Sequence, residues 1–205
     1  MLVSSDKYNL SFYSIEEIEN KLIDILKPAE LNQISSAYDI CNQICNAYAL
    51  SDGCSLFHHC TRVVKILIEE LEIYDTSIVC AILLHNASRL SNDLDTQIID
   101  YNFGPYVAYL VDSMTEDFFF LNDLPSHIKK ISNENSDFQI ADYLILMCSE
   151  QLDLIRCIDY DITGEHFNFL TDIAKNIFPL IEKSENASLQ YLYKALVTER
   201  NKILS

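Results

Sequence analysis

The chain has 205 residues, of which only three are glycine and four are proline. Folds built from many strands need a turn every ~8–12 residues, so this scarcity of turn-forming residues argues against sandwiches and barrels. Acidic residues outnumber basic ones by 31 to 14, and the net charge of −17 excludes nucleic acid and anionic membranes as expected partners. A chain of this length is expected to form one domain over residues 1–205.

Helix-start signals and the spacing of apolar residues divide the chain into helices. Ser14 and Glu17 have the spacing of a capping box, and Asp75 is a typical N-cap. Segment 78–84 is apolar at every position, which predicts the central buried helix, and the polar segment 87–95 predicts a loop. The predicted helices cover residues 15–26, 28–48, 56–71, 77–85, 96–101, 107–114, 121–131, 138–158, 165–181 and 188–204. The predicted fold class is an all-α, single compact helical bundle.

Seven cysteines occur, and the longest apolar run has seven residues, whereas a membrane span needs roughly 20. No signal peptide is recognised, so we expect a cytoplasmic protein with reduced thiols and no membrane partner. Cys41 and Cys45 share one helix face, but no second pair of ligands at zinc-site spacing accompanies them. A structural zinc site is therefore not expected, and the cysteines are interpreted as buried free thiols.

A possible metal site is indicated by two histidines and an aspartate. His59 lies near the start of the third predicted helix, His85 ends the buried one, and Asp142 lies on a later helix. Two imidazoles and a carboxylate that face one point in a helical bundle bind Mn²⁺, Fe²⁺ or Zn²⁺. Asn86 follows His85 directly and offers an uncharged amide oxygen. The alternative is that the histidines only pack in the core or at its edge.

Several segments carry a family likeness. Residues 76–85 follow the pattern T-I-A-A-A-L-L-H-D up to its histidine, and residues 101–115 follow F-G-x-x-V-A-x-L-V-D-x-V-T. Residues 141–142 fit the start of L-A-D-R-L-H-N. In order and spacing, about residues 20–200 resemble the RelA/SpoT-type hydrolase domain of the HD-domain superfamily. The resemblance implies an HD-type helical bundle and a Mn²⁺ enzyme that removes pyrophosphate from the 3′ position of guanosine tetra- and pentaphosphate.

The resemblance also implies a set of metal ligands. His59, His85 and Asp142 fall on three of the family's four ligands, and Asn86 takes the place of the fourth, an aspartate. Gly53 precedes His59 by six residues, as in the family, which favours His59 over its neighbour as the inward histidine.

The family's catalytic residues are not retained. Arg89 and Leu90 occupy the positions of its Glu-Asp pair, and neither can act as a general base near neutral pH. The basic residues that hold the phosphates in the family correspond to residues 48–51, which carry no positive charge. Arg89 either pairs with Asp142 in place of a metal or points into solvent from a loop.

Three hypotheses follow from these observations. The first is a degenerate RelA/SpoT-like domain, a pseudo-hydrolase that binds a nucleotide-like ligand or a protein partner in a regulatory role. The second is an active metal-dependent phosphohydrolase with altered metal ligation or substrate, in which Asp93 or Asp95 replaces the missing acid. The third is a helical interaction domain without a metal. The lost acid pair favours the first hypothesis, in which the chain is not an enzyme.

Overall fold

The computed structural model describes residues 11–50, 53–117, 127–129, 137–158 and 163–205. In these ranges the chain forms ten α-helices and no strand, so the predicted all-α fold class is confirmed. The third helix continues into a π-helical turn, Ile66–Glu70. The helices are α1 (Ile15–Leu22), α2 (Pro28–Cys45), α3 (Leu56–Lys65), α4 (Thr76–Leu90), α5 (Thr96–Phe103), α6 (Pro105–Asp117), α7 (Asp137–Cys157), α8 (Gly164–Asn176), α9 (Phe178–Ile181) and α10 (Ala187–Leu204).

The predicted helix caps are confirmed by their hydrogen bonds. The Ser14 hydroxyl accepts from the Glu17 amide at 3.2 Å, and the Glu17 carboxylate accepts from the Ser14 amide at 2.8 Å. Asp75 Oδ1 accepts from the amides of Ser77 and Ile78 at 2.8 and 3.1 Å. These side chains satisfy amides that have no partner within their own helix, and so they fix where α1 and α4 begin.

Helix α4 is the centre of the bundle, as its sequence predicts. Every residue from position 78 to position 87 is buried. The helix packs mainly between α2 and α6, and it also contacts α3, α5 and α7. An apolar surface around the whole helix is stable only when neighbours cover it on all sides, and this arrangement brings α4 against the helices that carry the polar residues of the site.

The predicted loop at residues 87–95 starts too early, because α4 continues to Leu90. Ala87 is fully buried and its carbonyl accepts from the Ser91 amide at 3.1 Å, so packing extends the helix through polar sequence. The extension matters for the site, since residues three apart on a helix lie on the same side. Arg89 therefore stands beside Asn86.

Two other segments differ from their predicted extent. The helix predicted at residues 165–181 is divided at Ile177 into α8 and α9, because Pro179 has no amide hydrogen to continue the helical bonding. Of the helix predicted at residues 121–131, only 127–129 are described. The sequence also predicts a surface loop at residues 132–137; it lies outside the described residues except for Asp137, where α7 begins. No helix in the described ranges is both long and apolar enough to cross a bilayer.

Candidate functional site

The two histidines predicted from the sequence meet at one buried carboxylate. Glu150 Oε1, from α7, lies 2.6 Å from His85 Nε2 and 3.6 Å from His59 Nε2. Both histidines are fully buried, and Glu150 is 3% exposed. Three helices (α3, α4 and α7) thus each contribute one residue to a single point inside the bundle.

The other nitrogen of each imidazole is held by an acceptor. His59 Nδ1 lies 2.8 Å from Asp153 Oδ2, and His85 Nδ1 lies 2.8 Å from the carbonyl oxygen of Ile82. With Nδ1 donating to these acceptors, Nε2 of each ring faces Glu150. In the described part of the chain, His59 Nε2 and Glu150 Oε1 have no partner in hydrogen-bonding geometry. The backbone and Asp153 therefore aim two nitrogens at one carboxylate oxygen.

Arg62 fixes the carboxylate that orients His59. Its Nε donates to Asp153 Oδ1 at 2.9 Å, and its Nη2 donates to Asp153 Oδ2 at 2.9 Å. Arg62 is 1% exposed and Asp153 is fully buried. A two-pronged contact of this kind fixes both the position and the plane of the carboxylate, so Arg62 positions His59 through Asp153.

The charges of the cluster shift the pKa values of its members. Burial by itself would lower the pKa of His59, but the hydrogen bond with Asp153 and the charge of Glu150 raise it to about 10. Burial likewise opposes protonation of His85, yet the charge of Glu150 raises its pKa. Burial would raise the pKa of both carboxyl groups, and the neighbouring cations hold both below their ordinary values. The charges of Glu150 and Asp153 therefore favour protonated imidazoles.

Asn86 and Glu150 both contact Nε2 of His85. Its Nδ2 lies 2.6 Å from His85 Nε2, and its Oδ1 accepts from Arg89 Nη1 at 3.2 Å. An amide nitrogen that close to an imidazole nitrogen requires a lone pair on the ring, whereas the carboxylate of Glu150 favours a proton there. A metal ion that accepts the Nε2 lone pair and attracts the carboxylate would satisfy His85 and Glu150 together.

Arg89 occupies neither of the two positions expected from the sequence. It lies on α4 and not on a solvent loop, and its guanidinium contacts Asn86 and interacts electrostatically with Glu150. Asp142 was expected as its partner, but that carboxylate accepts a short hydrogen bond from Tyr106. Leu90 packs against the apolar core.

The structure does not bring Asp142 to the two histidines. Asp142 lies eight residues before Glu150 on α7, which corresponds to about 12 Å along the helix axis. Glu150 takes the place in the cluster that was predicted for Asp142. The sequence does carry a signal for the missed residues, because Glu150 and Asp153 lie three apart on a helix whose preceding residues, 143–148, carry no charge. Such a pair shares one helix face and needs polar partners when that face is buried.

The choice between the two adjacent histidines is settled. His59 is fully buried in the cluster, while the His58 ring lies 5.3 Å from the Phe12 ring and 6.0 Å from the Phe57 ring, centroid to centroid. His58 therefore faces away from Glu150, as the spacing from Gly53 predicts.

The residues at this point fit a transition-metal ion. Two imidazole nitrogens and one carboxylate oxygen are a common ligand set for Mn²⁺, Fe²⁺ and Zn²⁺. One of these atoms, His59 Nε2, is buried without a hydrogen-bond partner and lies 3.6 Å from Glu150 Oε1. Among the described residues, the ligand atoms that all lie within 4.8 Å of one another belong to three cysteines, Cys41, Cys45 and Cys60. The ligand atoms of the histidine–glutamate site (His59, His85 and Glu150) do not all lie within 4.8 Å of one another, and a bound metal would draw them closer together.

No protein-family model and no curated protein matches the chain. Membership of the HD-domain superfamily, and metal binding at the predicted residues, stay predictions.

Replacing Arg62 tests whether the cluster depends on its positioning cation. Arg62→Met leaves Asp153 buried with less positive charge beside it, so we expect the free energy of unfolding to fall by about 3 kcal/mol or more in urea titrations. Lys65→Met is the matched control, since the Lys65 side chain is 42% exposed and 3.9 Å from Glu69; it should cost at most about 1 kcal/mol. Equal losses in the two variants would contradict this role of Arg62.

The raised pKa of His59 predicts how stability depends on pH in chelator-treated protein. Because the pKa is about 6.5 in the unfolded chain and about 10 in the folded one, protonated His59 stabilises fully below pH 6.5. That stabilisation is lost as the pH rises towards 10. Urea titrations of the wild type should therefore show a decline over this range.

His59→Gln should show a smaller decline over the same range, whereas His58→Gln should retain it. The burial of His58 lowers its pKa, so that residue does not contribute in this window. A decline of the same size in His59→Gln and in the wild type would rule out His59 as its source.

Proposed function

We propose that the chain is a RelA/SpoT-like HD domain that binds a divalent transition metal without hydrolysing a nucleotide. Its metal ligands are His59, His85 and Glu150. The observation that carries the proposal is the convergence of both Nε2 atoms on Glu150 Oε1, with each Nδ1 held by an acceptor. This arrangement selects the tautomer that a metal ligand needs.

The absence of hydrolysis is proposed from the residues around the ligands. A hydrolytic site needs a group that accepts a proton from water, and Arg89 stands instead within electrostatic reach of Glu150. Burial of both histidines and of Glu150 leaves little room for a polyphosphate beside the metal. The net charge of −17 adds a repulsive field.

The proposed role is binding or regulation in the cytoplasm, with a nucleotide-like ligand or a protein as the partner. Metal binding would join α3, α4 and α7, since each of these helices supplies one ligand. Ions bound by the folded chain stabilise it in proportion to their affinity and concentration. The metal would then stabilise the packing of these three helices and would have no catalytic role.

An active metal-dependent phosphohydrolase is the second candidate. It is favoured by the same observation, because a metal held by two histidines and one carboxylate keeps free coordination positions and can lower the pKa of a bound water. Asp95 is occupied as the N-cap of α5, where it accepts from the Ile98 amide at 2.9 Å. Asp93 is the remaining candidate of the two that were predicted as a replacement acid.

Metal content and turnover test both parts of the proposal. Because Cys41, Cys45 and Cys60 are also potential metal ligands, metal content is measured in a Cys41→Ser background. This protein, purified without chelator or affinity metal, should contain about one equivalent of Mn, Fe or Zn by mass spectrometry. His59→Ala should lose this equivalent, and His58→Ala should retain it. With Mn²⁺ and guanosine tetraphosphate, the wild type should release no pyrophosphate.

Two outcomes would contradict the proposal in different ways. Absence of metal, even after Mn²⁺ is supplied, would remove the metal site and leave a helical interaction domain. Pyrophosphate release that disappears in His85→Ala would show that the chain is an enzyme, in favour of the second candidate.

A further inference from the structure

We propose that Cys41, Cys45 and Cys60 form a second metal site, for a thiophilic ion of the Zn²⁺ or Cu⁺ class. Cys41 and Cys45 lie one turn apart on α2, and Cys60 lies on α3. The three sulfur atoms lie within 4.8 Å of one another, and all three residues are fully buried. None of them belongs to the histidine–glutamate site.

The sulfur positions fit a single ion. Zinc–sulfur bonds are about 2.3 Å long, so sulfurs around one zinc ion lie about 3.8 Å apart. A cluster within 4.8 Å reaches that spacing by small side-chain movements. Thiolate sulfur selects soft ions such as Cu⁺ and Zn²⁺ over Mg²⁺ or Ca²⁺. Each thiol that binds releases its proton to solvent, and no electron is transferred.

Two polar side chains of α4 lie beside the cysteine cluster. Asn86 Nδ2 donates to Cys60 Sγ at 3.5 Å. Arg89 interacts electrostatically with Cys45. Contacts among the thiols and burial raise the pKa of Cys41 and Cys60, so an incoming ion has to displace their protons. Cys41 and Cys45 belong to α2 and Cys60 belongs to α3, so a bound ion would fasten these two helices to each other.

The other fully buried cysteines provide a contrast. Cys80 on α4 and Cys148 on α7 are also without solvent exposure, and neither belongs to the three-sulfur group. A cysteine that packs as a small apolar residue does not require other sulfurs beside it. The gathering of three thiols from two helices is what distinguishes the site.

Cadmium binding tests the site through a signal that only sulfur ligands produce. The full chain is refolded under reducing conditions with increasing Cd²⁺, and the ultraviolet charge-transfer absorption from thiolate to cadmium is recorded. We expect the band to saturate at about one equivalent. Cys41→Ser and Cys60→Ala should lose it, and the matched control Cys80→Ser should retain it. Zn²⁺ or Cu⁺ should displace the cadmium.

The outcome is independent of the histidine–glutamate site, because His59→Ala removes no sulfur and should retain the band. Circular dichroism first confirms that each variant is helical, and Cys45→Ala replaces any variant that fails to fold. Absence of the band in the wild type would overturn the proposal, as would its survival in Cys41→Ser or an equal loss in Cys80→Ser. Failure of both Zn²⁺ and Cu⁺ to displace Cd²⁺ would overturn it as well.

Discussion

The burial of Glu150 is the constraint on which the rest of the site depends. A carboxylate taken out of water costs free energy unless opposite charge or a metal compensates it. In this protein the compensation comes from His59 and His85, on two other helices, at 3.6 and 2.6 Å. The relative positions of α3, α4 and α7 are therefore tied to a single side chain, and a change at that side chain would affect all three helices.

Other residues hold His59 and His85 in place against Glu150. The apolar surface of α4 fixes the helix in the centre of the bundle and carries His85 into the interior. On α3, Arg62 holds Asp153, and Asp153 in turn holds Nδ1 of His59. The order of these contacts explains why Arg62, a long cation, is buried at all. It acts on the candidate metal site through two other residues.

The sequence predicted the fold class, the caps at Ser14 and Asp75, and the inward direction of His59 and His85. These features are local, since each depends on spacing along one helix or on a cap beside it. The prediction of Asp142 in the site was made from a short motif match, and the structure has Glu150 there. Which acidic residue of α7 reaches the histidines depends on contacts between α7 and other helices, and one sequence does not contain these contacts.

The lack of information on contacts between helices also explains two other differences between the prediction and the structure. Cys41 and Cys45 were recognised as a pair because they share a face of α2, whereas Cys60 comes from another helix and joins them only in the fold. The end of α4 was predicted too early because residues 87–90 include polar side chains. Packing of Ala87 overrides that local preference, and the additional turn is what brings Arg89 next to Asn86.

The central claim is that both imidazoles direct Nε2 at a common cation site beside Glu150. Long-range proton–nitrogen correlation spectra of the histidine rings test it most directly, recorded on Cys41→Ser protein with and without one equivalent of Zn²⁺ so that the cysteine cluster does not take up the ion. The account predicts that His59 and His85 keep the proton on Nδ1 and that Nε2 of both rings shifts as the metal binds, while His58 and His166 are unchanged. Nitrogen chemical shifts at His59 and His85 that stay the same when Zn²⁺ is added would contradict it.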